Sequence, residues 1–160
     1  MPARRYGERM RRIGLGATLL LSAVLLSGCT GQNAPSPDAL QTWTDAQNDA
    51  AVSDTRMLSQ TSSTTGENEK LRAGEGATAA FPAPETVSEI VYACTGPDAM
   101  SFEVEVSQKS ESTVLRFEDL PCSDQLTALD LPEFTDVTQV RMNGASATAG
   151  AWSMTVRGPA

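Results

Sequence analysis

Along residues 85–160, apolar and polar positions alternate with a period of two, the spacing of a strand with one buried face. In SFEVEV, Phe102, Val104 and Val106 fall on one side and Glu103 and Glu105 on the other. STVLRFEDL sets Leu115 and Phe117 against Arg116 and Glu118, and AWSMTVRG sets Trp152, Met154 and Val156 against Ser153, Thr155 and Arg157. TVSEIVYAC contributes Val87, Ile90, Val91 and Tyr92, and TDVTQVRMNG contributes Val140 and Met142. A shorter strand is expected around Leu126–Leu129, and Gly96, Pro97 and Asp98 mark a turn. Short strands separated by turn signals, with no stretch long enough for a helical crossover, predict an all-β domain over residues 85–160. Its expected form is a small antiparallel β-sandwich of jelly-roll type.

Upstream the pattern changes twice. Over residues 37–59, Leu40, Trp43, Ala46 or Gln47, Ala50, Met57 and Leu58 recur near helical spacing, with Asp54 interrupting the stripe. Ser36 as cap, Pro37 at the first helical position and Asp38 in the first turn form a helix-start signal. An amphipathic helix is therefore predicted at 37–59. Residues 60–84 are rich in Ser, Thr, Gly, Glu, Ala and Pro, with Leu71 and Phe81 the only large apolar side chains. That composition predicts a flexible linker.

The first 28 residues read as an export signal. Arg4, Arg5, Arg9, Arg11 and Arg12 form a basic zone opposed only by Glu8, and Ile13–Leu26 is an apolar run broken by Gly14, Gly16, Thr18 and Ser22. That run is shorter than the ~20 residues a spanning helix needs. Its end, Leu26-Ser27-Gly28-Cys29, resembles the lipobox of bacterial membrane lipoproteins. The resemblance implies cleavage between Gly28 and Cys29 and lipidation of Cys29, with diacylglycerol on the thiol and an acyl chain such as palmitate on the new amino terminus. One acyl chain binds a membrane only marginally, whereas two or more hold it stably. Residues 29–36 would then be a lipidated tether, and the domain an extracytoplasmic one held at the cell membrane. Arg11-Arg12 fits a twin-arginine signal loosely, and both the general and the twin-arginine routes stay open.

Removal of residues 1–28 leaves 132 residues with seven Lys and Arg against nineteen Asp and Glu, a net charge of −12. A chain so acidic repels phosphate backbones, which excludes nucleic acid as a partner. With Cys29 assigned to lipid, Cys94 and Cys122 remain, and an even pair in an exported chain reads as a disulfide. Zinc binding and two free thiols are the alternatives, zinc being short of ligands in a chain without His.

YACTGPDAMSFEVEV, LPCSD and GAWSMTVRG together resemble small β-sandwich domains carried by actinobacterial lipoproteins. In those domains a strand ending C-x-G pairs with a later Cys and a Trp strand closes the fold. The resemblance brings no catalytic residues.

Chemistry is sparse. Without His, Ser-His-Asp and Cys-His arrangements are impossible. Ser107 and Ser110 flank Lys109, which with Lys70 makes up the lysines, but no S-x-x-K motif occurs. Glu103 with Glu105 and Glu118 with Asp119 are the carboxylate pairs a glycoside hydrolase would need, though acids on a solvent face more often serve solubility. Asp98, Asp119, Asp124, Asp130 and Asp136 lie in or near turns without calcium-loop spacing. The expected protein is a non-catalytic module without cofactor or metal, binding another envelope protein or serving as an accessory subunit. A cell-wall glycan binder is the alternative, with Tyr92, Phe134 and Trp43 as candidate sugar platforms.

Overall fold

The computed structural model describes residues 35–160. Gly28 and Cys29, and with them the signal peptide and most of the tether, lie outside the described residues. One helix, α1 (Pro37–Val52), is followed by β1 (Met57–Thr65), β2 (Ala77–Val87), β3 (Glu89–Thr95), β4 (Ala99–Gln108), β5 (Ser112–Pro121), β6 (Thr127–Ala128), β7 (Phe134–Ala145) and β8 (Gly150–Arg157). The strands form two antiparallel four-stranded sheets, ordered β1-β8-β3-β6 and β2-β7-β4-β5. The fold is a small all-β sandwich.

The alternation seen in the sequence builds its interior. Phe102, Val104 and Val106 of β4 stand beside Val137, Val140 and Met142 of the adjacent β7 and pack, across the sandwich, on Ile90, Tyr92, Trp152, Met154 and Val156. All of these are buried. Rings organise the centre: Phe102 lies 5.1 Å from Tyr92 and 6.2 Å, edge-on, from Trp152, spacings that favour aromatic pairs. The Cys94–Cys122 disulfide joins β3 of one sheet to the end of β5 in the other, with Cα atoms 5.2 Å apart, inside the normal range.

Two upstream expectations need correction. The helix stops at Val52 rather than residue 59. Ser53 turns the chain and Asp54 Oδ1 accepts the Arg56 backbone N–H at 3.0 Å, a local bond that competes with further helical turns. Met57 and Leu58, assigned to the helical stripe, instead begin a strand, and Leu58 packs against the core. Nor are residues 60–84 a linker: β1 pairs with β8 from Met57 to Thr65, and β2 pairs with β7. The sandwich thus starts at residue 57, not 85, and only 66–76 connects strands there.

The physical reason lies in position within the sheets. β1 is an edge strand covered by α1, so its Ser, Thr and Gln side chains are met by polar groups rather than by the core. Ser62 Oγ bonds Asn48 Oδ1 at 3.1 Å, and Gln60 Nε2 donates to Ser153 Oγ at 2.9 Å. β2 is the edge of the other sheet and tolerates Pro82 and Pro84 because its register breaks between Ala80 and Glu85.

The helix start follows the sequence signal, Ser36 Oγ accepting the Ala39 N–H at 3.2 Å with Pro37 opening the first turn. α1 lies over β1 and β8, burying Leu40 and Ala51. Under this cover β8 is buried on both faces, so that Ser153 and Thr155, expected on a solvent side, are 1% and 3% exposed.

Candidate functional site

Among the described residues, a group of four charged side chains forms where four chain segments meet at one end of the sandwich. Strand register places it: Glu89, first in β3, stands opposite Arg157, last in β8, and Met57, first in β1, stands on the other side of Arg157. The turn after α1 adds Asp54 and Arg56. Arg157 Nε donates to Asp54 Oδ2 at 2.5 Å and its Nη1 to Glu89 Oε2 at 2.9 Å, while Arg56 Nη2 reaches the same Glu89 oxygen at 2.9 Å.

These bonds set the protonation states. The Arg56 backbone N–H, and then the Arg157 guanidinium, hold Asp54 below the usual aspartate range. The hydrogen bond from Arg157 lowers Glu89 likewise. Partial burial works against the Arg157 cation, but its bonds to Glu89 and Asp54 outweigh that and raise its pKa. Two carboxylates and two guanidiniums are therefore mutually neutralised, and neither acid is poised to exchange a proton near neutral pH. Beside them a groove of about 210 Å³ runs between the last two turns of α1 and Leu126, floored by Thr155. Asp54 and Arg157 form its polar end, and Ala50, Ala51 and Leu126 supply apolar lining.

No motif marks this cluster in the sequence, where Asp54 is only a break in a helical stripe and Arg157 falls on the solvent side of a strand. The quartet depends on the register of three strands, which no spacing along the chain reveals.

The other candidates are scattered. Glu103 and Glu105 lie on the outer face of the β2-β7-β4-β5 sheet, each met by an arginine on a neighbouring strand. Arg116 Nε bonds Glu103 at 2.8 Å, and Arg141 pairs with Glu105. Glu103 is nevertheless only 4% exposed, because Arg116 lies across it. Glu118 and Asp119 are exposed at a bulge in β5, where Asp119 takes a positive φ of 52°. Asp136 sits at a second bulge, in β7, with φ 54°. Asp98 offers its backbone carbonyl to the Cys122 N–H, Asp124 accepts from Trp43, and Asp130 is exposed after β6. Among the described residues, no three His, Cys, Asp or Glu side chains converge in a way that could hold a metal ion. Ser107 Oγ bonds Ser112 Oγ, with Lys109 exposed in the turn between them.

The aromatic candidates face inward. Tyr92 and Phe134 are 3% and 8% exposed, and Tyr92 Oη donates to the Pro121 carbonyl at 3.2 Å. Burial raises the Tyr92 pKa. Trp43 is half-buried, its indole N–H bonded to Asp124 Oδ1 at 2.8 Å. Among the described residues the exposed large apolar side chains are Val52, Val114 and Leu126, none of them aromatic.

Comparison with protein-family models, curated proteins and solved structures returns no match. Among the described residues no helix is long and apolar enough to cross a membrane.

Proposed function

We propose that this chain is a cell-envelope lipoprotein, anchored through Cys29 on the outer face of the cytoplasmic membrane, whose β-sandwich is a non-catalytic module or accessory subunit for another envelope protein. The anchor rests on the lipobox resemblance of Leu26-Ser27-Gly28-Cys29 at the end of a short apolar run. The observation that favours a protein partner over a glycan is the fate of the aromatic rings. Sugar recognition of the stacking kind needs flat aromatic faces open to solvent. Here Tyr92, Phe102, Phe134 and Trp152 are core, and Trp43 is tied to Asp124. What remains outside is a broad polar sheet face with arginine–carboxylate pairs, together with the groove beside α1.

Cells expressing the full chain would be labelled with an alkynyl palmitate and then crosslinked intact. Label on the wild-type chain and its loss in Cys29→Ser is the expected first result. A discrete protein adduct of constant stoichiometry supports the module reading. Recovery of cell-wall polysaccharide without protein replaces it with glycan binding.

A further inference from the structure

The described chain begins at one end of the sandwich. Pro35 packs beside Gly96 in the turn between β3 and β4; a Cβ built on that glycine would stand 3.3 Å from Pro35 Cγ. The β7–β8 turn lies at the same end, since Gly150 abuts Pro97 and Thr95. So does the 66–76 connection, whose Asn68 N–H donates to the Ala147 carbonyl at 3.1 Å. The Asp54, Arg56, Glu89 and Arg157 quartet and the β4–β5 turn occupy the opposite end. Strands of nine or ten residues separate the two ends by roughly 30 Å.

Only six residue steps separate Cys29 from Pro35. At ~3.3–3.6 Å per residue, even a fully extended chain of that length spans no more than about 20 Å. We infer that the sandwich is held end-on to the bilayer, with the β3–β4 turn, the β7–β8 turn and loop 66–76 facing lipid and the Arg157 end directed outward. This rests on the lipid anchor at Cys29 proposed above. Charge reinforces the orientation. The mature chain carries −12, and within loop 66–76 Glu67, Glu69 and Glu75 outnumber Lys70 and Arg72. An anionic bilayer therefore repels the domain over roughly a Debye length, about 8 Å at physiological salt, instead of drawing a flank down flat. A body tethered at one end and repelled along its length stands with the tethered end nearest the surface. The surfaces left for a partner are then the Arg157 end and the two flanks, reached by a protein whose extracytoplasmic part lies close to the same membrane.

The chain supplies its own reporters. Its lysines are Lys70, in the inward loop, and Lys109, in the outward β4–β5 turn, and both are exposed. The full lipidated protein would be placed in vesicles of phosphatidylcholine and phosphatidylglycerol doped with a lipid bearing an amine-reactive ester on its headgroup. Adducts at each lysine would be counted by mass spectrometry and normalised to a water-soluble ester acting on the same protein in detergent. With Lys109 a strand length farther from the lipid, Lys70 is expected to be favoured by about tenfold. Equal labelling, or preference for Lys109, on protein whose Cys29 carries lipid overturns the orientation and leaves the anchor standing. Absence of lipid on Cys29 overturns the anchor and the orientation together.

Discussion

The indole N–H of Trp43, midway along α1, donates to Asp124 Oδ1 at 2.8 Å, tying the helix to the loop just beyond Cys122 across 81 positions of sequence. With Leu40 and Ala51 buried beneath it and Asn48 bonded to Ser62, the helix is docked along its length on the β1–β8 surface. It is part of the folded body.

Removing the Trp43–Asp124 bond should loosen that docking without unfolding the sandwich. A hydrogen bond of this kind contributes about 1 kcal/mol net. Trp43→Phe keeps most of the apolar contact and loses the donor, and Asp124→Ala loses the acceptor. In each variant the amides of residues 40–52 should exchange about fivefold faster, with those of β4 and β7 unchanged. Unaltered helix exchange in both variants would show that apolar contact alone holds α1 down.

Joining the sheets through Cys94 and Cys122 closes a loop over a sequence separation of 28 residues. In the chain-entropy treatment such a loop contributes about 3–4 kcal/mol by restricting the unfolded state. The Cys94→Ala/Cys122→Ala double variant should lower the urea midpoint accordingly, and reductant should lower the wild-type midpoint by the same amount. A midpoint insensitive to both would mean that the sheets hold together through Phe102, Tyr92 and Trp152 alone.

What the sequence disclosed follows from where each strand sits. In β4, β7 and β8 one face meets the core, so Phe102, Val104 and Val106, Val140 and Met142, and Trp152, Met154 and Val156 recur at every second residue of their strands. The edge strands β1 and β2 carry no such signature. Ser62 bonds Asn48 of the helix and Gln60 bonds Ser153 of β8, so neither is an apolar residue of the interior, and in β2 the partly buried Ala79 and Phe81 are followed at once by Pro82 and Pro84. Their composition therefore read as linker. The Arg157 quartet was hidden for a different reason: Asp54, Glu89 and Arg157 are neighbours only through strand register, and register is set by pairing partners that the local pattern does not name.

Gly144 of β7 leaves room for the Trp152 ring of the facing sheet. A Cβ added there would stand 2.7 Å from Trp152 Nε1 and 3.0 Å from Phe102 Cε1, within a centre whose rings are already in contact. Gly144→Ala should destabilise the fold by about 1–3 kcal/mol through overpacking. The pairing of Gly144 in β7 with Phe102 in β4 leaves the backbone little freedom to yield. Trp152→Phe, which shortens the offending ring, should recover part of that loss in the double variant. Equal stability of Gly144→Ala and wild type in urea would mean that the Trp152 ring moves aside freely.

Acid should act on the Arg157 end in a direction the hydrogen bonds fix. Asp54 and Glu89 are held below the ordinary values of 3.8 and 4.5, Asp54 by the Arg56 backbone N–H and by Arg157, Glu89 chiefly by Arg157. As pH falls past those ordinary values the unfolded chain takes up protons before the folded one does. Stability contributed by these pairs is thus fully present above about pH 4.5 and is lost as pH drops through the lowered folded values. Arg157→Met removes the shared partner while keeping an apolar stem over Thr155. The loss expected at pH 7 is about 1–2 kcal/mol, between an exposed and a fully buried ion pair, because the Arg157 and Asp54 side chains are 16% and 18% exposed. Urea midpoints of the two proteins would be compared at pH 7, 5 and 3. The gap between wild type and Arg157→Met should hold from pH 7 to 5 and narrow by pH 3. A gap that persists undiminished at pH 3 would mean that Arg157 stabilises this end through its packing over β8, with its bonds to Asp54 and Glu89 contributing nothing to the fold.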